Sequence, residues 1–209
     1  MKMDIARGLI QMGCVKLSPL NPFNYASGLK GPIYCDNRLI LSHVNFRNKI
    51  VQGFIQEIEK NSLEFDLIGG IATAGIPYAA FMADRLSRPM IYVRSKAKEH
   101  GKKNQVEGDY LPNQSVIMVE DLINQGSSLV DSVNGLVEAG LTSTLCLSIV
   151  NYQTKVATKR LEELSMTLYS LTDFEHLVKA GLELQFVDLE GKKLLIDWHD
   201  DPKEWSNLH

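Results

Sequence analysis

Cysteine is scarce in this chain: Cys14, Cys35 and Cys146 are the three in 209 residues, too widely spaced for a disulfide framework or a Cys-x-x-Cys metal site. All three are expected to be reduced and packed, and nothing beside Cys35 in sequence supplies a base to activate its thiol. No apolar run approaches the ~20 residues of a membrane span. The first residues, MKMDIARGLIQMGCVKL, carry Asp4 and lack the continuous apolar stretch of a signal peptide, so a cytoplasmic location is expected. An excess of basic charge is missing too. Lysine and arginine total 22 against 25 acidic residues, a formal charge of -3. With no helix-turn-helix, no basic arm and no aromatic residue among the clustered lysines, nucleic acid is disfavoured as a partner. Repeats, low-complexity tracts and extended linkers are absent. Neither Gly-x-x-x-x-Gly-Lys-Ser/Thr nor Gly-x-Gly-x-x-Gly occurs, which excludes the two commonest nucleotide loops.

What is present is a single globular length with 44% hydrophobic residues, enough for a real core and a small subdomain. Apolar spacing predicts helices over residues 4–16, 44–60, 77–86 and 129–139, and strands over 63–69, 90–93, 115–119 and 144–150. Residues 18–32, rich in Pro, Gly, Asn and Ser, read as loop. Residues 154–164 and 171–181 read as helices, and the polar tail after Trp198 is uninformative. Strands alternating with helices predict an α/β fold: a doubly wound, mostly parallel sheet with flanking helices. Ligands of such sheets bind beyond the C-terminal ends of the strands.

Three segments fall at those ends. Residues 116–128, VIMVEDLINQGSS, place Glu120 and Asp121 at the end of a strand, followed by small residues opening a helix. Unpaired N–H groups and partial positive charge at a helix start hold phosphate. Adjacent carboxylates would repel that phosphate unless they serve sugar hydroxyls, Mg²⁺ or a developing cation, and a phosphorylated ribose meets all three needs. Residues 91–108 carry Arg94, Lys96, Lys98, His100, Lys102 and Lys103 with glycines at 101 and 108, a loop suited to a small polyanion such as pyrophosphate or to a solvated basic surface. In GGIATAG, residues 69–75, small residues either let backbone N–H groups approach an anion or let a helix pack closely on a strand.

The 116–128 segment resembles the phosphoribosyl pyrophosphate (PRPP) motif of type I phosphoribosyltransferases. Taken with ASGLKGPIYCDNRLILS at 26–42, GIATAGIPYAAFMADRL at 70–86 and RSKAKEHGKKNQVEG at 94–108, the chain resembles the orotate phosphoribosyltransferases over most of residues 20–150. That resemblance implies a pentosyltransferase joining PRPP to orotate to give orotidine 5′-phosphate and pyrophosphate in pyrimidine (UMP) synthesis. It implies one domain over 1–209: a hood over about 1–45, a PRPP-binding core over about 63–150, and C-terminal helices and tail over about 151–209. By the same resemblance Glu120 and Asp121 lie near the ribose. Leu122, Ile123, Asn124, Gln125, Gly126, Ser127 and Ser128 form the loop for the 5-phosphate, and Arg94, Lys98 and His100 attend the pyrophosphate. Lys98 is the chief candidate for stabilising the leaving group, His100 either donates a proton or only contacts phosphate, and the remaining lysines tune the field. Asn124, Lys30, Tyr34 and Arg38 are candidates for orotate, with an Asp36–Arg38 ion pair as the structural alternative for Arg38. Mg²⁺ carried mainly by PRPP oxygens, without a cage of protein ligands, and a homodimer sharing the basic loop are implied as well.

This chain departs from the family pattern in four places. Asn124 and Gln125 stand where hydroxyl residues are usual, Ala26 where lysine is common, and Ser95 where a second basic residue is common. The bulkier amides leave open a phosphoribosyltransferase for another base, and, since fold does not fix function, a non-catalytic sensor of PRPP or nucleotide on the same fold is a further reading.

Overall fold

The computed structural model describes residues 1–25, 27–95 and 105–209. In chain order the N-terminal part contains α1 (Lys2–Gln11), β1 (Val15–Leu17), β2 (Phe23–Asn24), β3 (Lys30–Gly31), β4 (Ile33–Cys35), a 3₁₀ turn (Asn37–Ser42) and α2 (Val44–Lys60). There follow β5 (Leu67–Ile71), α3 (Gly75–Leu86), β6 (Met90–Val93), β7 (Val106–Glu107), β8 (Ser115–Ile123), α4 (Ser127–Glu138) and β9 (Thr142–Asn151). The chain closes with α5 (Lys155–Glu163), β10 (Thr167–Asp173), α6 (Phe174–Glu183), α7 (Leu189–Asp200) and α8 (Pro202–Leu208). Two compact units result, one of Met1–Phe46 with Thr172–His209, the other of Arg47–Leu171.

The Arg47–Leu171 unit is organised by a sheet in the order β10-β9-β8-β5-β6-β7. Strands β6, β5, β8 and β9 run parallel, and β7 turns back antiparallel on β6. Both faces are covered, so β5 (LIGGI) is buried along its whole length, as parallel strands flanked by helices are. Successive side chains alternate between the faces. Leu67 and Ile71 join Val116, Met118, Cys146 and the α4 residues Leu129, Val133 and Leu136 in one cluster. On the other face α3 lies close. A Cβ added to Gly70 would sit 2.8 Å from Ile76 Cα, and one added to Gly75 would sit 2.1 Å from the Val119 carbonyl oxygen. Gly69, Gly70 and Gly75 are therefore packing glycines. The Gly69 position would collide with Val116 Cγ1 at 2.6 Å.

In the other unit α1 carries Ile5 and Leu9 fully buried, and ion pairs join it to α6 and to that helix's cap: Lys2 Nζ to Asp173 Oδ2 at 2.9 Å, Arg7 Nη2 to Glu183 Oε2 at 2.8 Å. Strands β1 and β4 pair antiparallel, as do β2 and β3. All three cysteines are free thiols, with Cys14 and Cys146 buried and Cys35 half-buried. No helix among the described residues is long and apolar enough to cross a membrane.

Several predicted boundaries shift. The first helix stops at Gln11 and Val15–Leu17 is strand, because Gly13 takes a left-handed φ of 71° that ends the helix. The 18–32 loop holds the small β2–β3 pairing, and the first core strand begins at Leu67, not 63. Strand β8 continues through the acidic pair to Ile123, since Glu120, Leu122 and Ile123 keep pairing with β9. Helix α4 starts at Ser127, two residues ahead of the predicted 129, and α3 starts at Gly75. The predicted 171–181 helix is in fact the end of β10 followed by α6, which opens only after Asp173 caps it by accepting the His176 N–H at 3.0 Å. The tail after Trp198 completes α7 and forms α8, and Trp198 and Trp205 are buried.

Candidate active site

Because β5, β6 and β8 are parallel, their C-terminal ends at Ile71, Val93 and Ile123 share one edge of the sheet. The segments leaving those ends are residues 72–75, the chain from Arg94 onward, and the loop 124–126. Strand β8 brings both an acidic pair and the start of α4 to this edge, the side on which open α/β sheets bind ligands.

Glu120 follows the alternation of Val116 and Met118, which places it on the face of the buried cluster. It is 7% exposed, and its Oε1 accepts the Asp121 N–H at 2.9 Å. Burial foremost, then the adjacent Asp121 charge, pushes the Glu120 carboxyl well above the usual carboxylate range, with the backbone hydrogen bond working against them. The same field reaches across to β9. Full burial and the Glu120 charge raise the Cys146 thiol far above its ordinary value, so this cysteine is packing and not nucleophile. Asp121 is half-buried, as are Leu122 and Asn124, whereas Gln125, Ser127 and Ser128 are exposed.

The loop between β8 and α4 is fastened from one side. The Tyr152 N–H donates to the Ile123 carbonyl at 2.8 Å, Thr154 Oγ1 donates to the Asn124 carbonyl at 2.7 Å, and Arg160 Nη1 donates to the Gln125 carbonyl at 2.7 Å. Gly126 follows with φ 74°, a left-handed conformation that costs glycine little and turns the chain into α4. Ala157 lies beneath it, 3.9 Å from where a Cβ would stand. Thr154 and Arg160 escaped the sequence reading, since they lie 30 and 35 residues away from the carbonyls they hold. The one usable signal was Thr154 as an N-cap.

Arg94 leaves β6 with its N–H donating to the Gln105 carbonyl at 2.9 Å and its Nη1 3.5 Å from Glu107 Oε1, while Gln105 Nε2 donates back to the Arg94 carbonyl at 2.7 Å. Lys98 and His100 lie outside the described residues, as do Lys96, Lys102, Lys103 and Ala26. Of the candidates for the base, Asn124 belongs to the Arg47–Leu171 unit and Lys30, Tyr34 and Arg38 to the other. The Lys30 Nζ donates to the His209 carbonyl at 2.9 Å, and its N–H donates to Ser206 Oγ at 2.8 Å. Tyr34 is largely exposed, its ring 5.7 Å from that of Phe23. Arg38 holds Asp36 through Nε at 2.6 Å and Nη2 at 2.8 Å, the structural alternative raised above; this contact, with lesser help from Lys16, keeps the Asp36 carboxyl below its ordinary range despite partial burial.

The family model for the phosphoribosyl transferase domain matches residues 41–168. The orotate phosphoribosyltransferase of Coxiella burnetii is 43% identical over 97% of this chain and 97% of its own. Among solved structures, the orotate phosphoribosyltransferase of Aeropyrum pernix superposes with a TM-score of 0.71 at 25% identity, covering 87% of this chain and 99% of that one. The UMP synthase of Leishmania donovani, at 20% identity, shares the fold with a TM-score of 0.78 over 95% of this chain and 42% of its own. This chain belongs to the orotate phosphoribosyltransferase family.

Proposed function

We propose that the chain transfers the phosphoribosyl group of PRPP to orotate, releasing pyrophosphate and forming orotidine 5′-phosphate on the path to UMP. The observation that carries this reading is the β8-to-α4 unit, where an acidic pair and an anchored loop at a helix start follow one another within eight residues, 120–127. In the reaction a ring nitrogen of orotate forms the bond to the ribose anomeric carbon as the bond from that carbon to the pyrophosphate oxygen breaks. Positive charge grows on the ribose and negative charge on the leaving group. Asp121 stands on the open side of the pair to meet the ribose. Glu120, held inward, contributes through its hold on the Asp121 backbone, and the 124–128 loop takes the 5-phosphate. Arg94, Lys98 and His100 serve the departing pyrophosphate, Lys98 foremost.

Mg²⁺ enters as part of the substrate, on PRPP oxygens. Among the described residues no group of three or more His, Cys, Asp or Glu side chains stands together to cage an ion. Glu120 is buried with one oxygen accepting a backbone N–H, whereas Asp121 is half-buried. The protein acts in the cytoplasm as a homodimer in which the basic loop of one subunit serves its neighbour, with residues of about 1–45 as the base-binding hood. Lys30, Tyr34 and Asn124 read the base; Arg38 does so after releasing Asp36.

The test is loss of orotate ultraviolet absorbance on mixing protein, orotate, PRPP and Mg²⁺. PRPP-dependent loss is expected. The amide side chains of Asn124 and Gln125 favour one second reading, transfer to another base. No loss with orotate but turnover with another member of a panel of purines and pyrimidines would establish it, and binding of PRPP without any turnover would mark a sensor.

A further inference from the structure

We propose that Thr154 and Arg160 are positioning residues for the phosphate loop: by holding its carbonyls they aim its amide N–H groups at the 5-phosphate. The inference rests on the assignment of residues 124–128 to that phosphate and adds the device that shapes them. In a planar trans peptide the C=O and the N–H point in opposite directions. The Asn124 carbonyl shares its peptide with the Gln125 N–H, and the Gln125 carbonyl shares its peptide with the Gly126 N–H. With both carbonyls turned onto α5 at 2.7 Å, both N–H groups are turned away from it. Among the described residues neither N–H meets a protein acceptor. Successive N–H groups aimed alike form an anion nest, and the left-handed Gly126 leads them into the first N–H groups of α4.

The two donors do work that the loop's own residues do not. Nothing in Asn124-Gln125-Gly126 prevents a peptide from flipping, and either flip would present a carbonyl oxygen where a phosphate oxygen belongs. Thr154 suits the task because its hydroxyl acts in both directions: it donates to the Asn124 carbonyl and, as the N-cap of α5, accepts the Ala157 N–H at 3.2 Å. A carboxylate could cap the helix but could not donate. Arg160, half-buried further along α5, supplies a charged donor and a fixed positive charge behind the loop.

Ribose 5-phosphate, which carries the phosphate without the leaving group, is titrated calorimetrically into the full chain, and pyrophosphate separately, with steady-state kinetics alongside. Thr154→Asp and Arg160→Met are each expected to weaken ribose 5-phosphate about tenfold, the loss of one anchoring hydrogen bond. The KM for PRPP should rise by a similar factor while kcat, the KM for orotate and the pyrophosphate affinity stay near their starting values. Thr154→Ser and Arg160→Lys, which keep a donor, should restore binding. Unchanged ribose 5-phosphate affinity in the first two variants would overturn the proposal, as would equal weakening of pyrophosphate, which would signal general loosening. If Thr154→Asp fails to fold, Arg160→Met decides alone, since it leaves the cap intact. The titration needs no turnover, so a chain inactive toward orotate would refute the proposed reaction while the anchoring remained measurable. A wild-type chain that leaves ribose 5-phosphate unbound would overturn the anchoring together with the loop assignment.

Discussion

The Asp121 N–H donates to Glu120 Oε1 at 2.9 Å, so the first carboxylate of the acidic pair is fastened to the backbone of the second and turned out of solvent. Two residues adjacent in sequence thereby take unequal parts. One is buried at the end of β8, and the other stays half-buried beside it.

A pH signature follows for Glu120. Its carboxyl binds a proton more tightly in the folded chain than in the unfolded one, because burial and the Asp121 charge raise it. Its stabilising contribution is complete below the unfolded pKa of about 4.3 and is lost as pH rises through the raised folded value. Glu120→Gln keeps an acceptor for the Asp121 N–H and cannot ionise. Its Tm should match the parent near about pH 4.5 and exceed it near about pH 8, by about 3 °C per kcal/mol relieved. A difference independent of pH would mean that Glu120 does not titrate in this range.

Asp173 behaves in the opposite sense. Burial works against its charge, yet the Lys2 ammonium at 2.9 Å and the ring and N–H of His176 hold its carboxyl below the ordinary range. The stability it lends is present above about pH 3.9 and is lost as pH falls through the lowered value. Asp173→Ala should cost about 1–3 kcal/mol at neutral pH, read from the denaturant midpoint, and Lys2→Met about 0.5 kcal/mol, since Lys2 is half-exposed.

Gly75→Ala tests the packing of α3. The added methyl would lie 2.1 Å from the Val119 carbonyl oxygen, a contact relieved only by moving α3 off β8. A loss of about 1–3 kcal/mol is expected, with activity falling because Val119 adjoins the acidic pair. A variant of parental stability would show that the helix yields without cost.

Lys98→Ala should leave PRPP binding intact and lower turnover by about 10²–10³-fold, the scale of removing one charge-stabilising group. Parental turnover would remove Lys98 from its role.

Asp121→Asn should also reduce turnover by about 10²-fold with the far-ultraviolet spectrum unchanged. Full activity would make the pair structural.

Much of the sheet was legible because its signals are local. Residues 44–60 and 90–93 form the elements that their periodicity predicts, and Thr154 caps the helix over 155–163 within a residue of its predicted span. Strand β10 was missed because TLYSLTD does not alternate and the apolar residues that follow at helical spacing drew the prediction onto a single helix. The tail was opaque because Trp205 is isolated among polar and charged residues, and burial of an isolated tryptophan depends on what lies opposite.

By itself the sequence determined the alternation of strands and helices, the order of the candidate phosphate-binding segments and the family to which they belong, since periodicity and motif spacing are properties of neighbouring residues. Only the tertiary structure decided that Glu120 is buried while Asp121 is half-open, that Gly69, Gly70 and Gly75 serve packing, and that Arg38 is held by Asp36. It alone brought Thr154 and Arg160 onto the loop carbonyls, because a hydrogen bond spanning 30 or 35 residues has no period to betray it and exists only once β9 has laid α5 beside the end of β8.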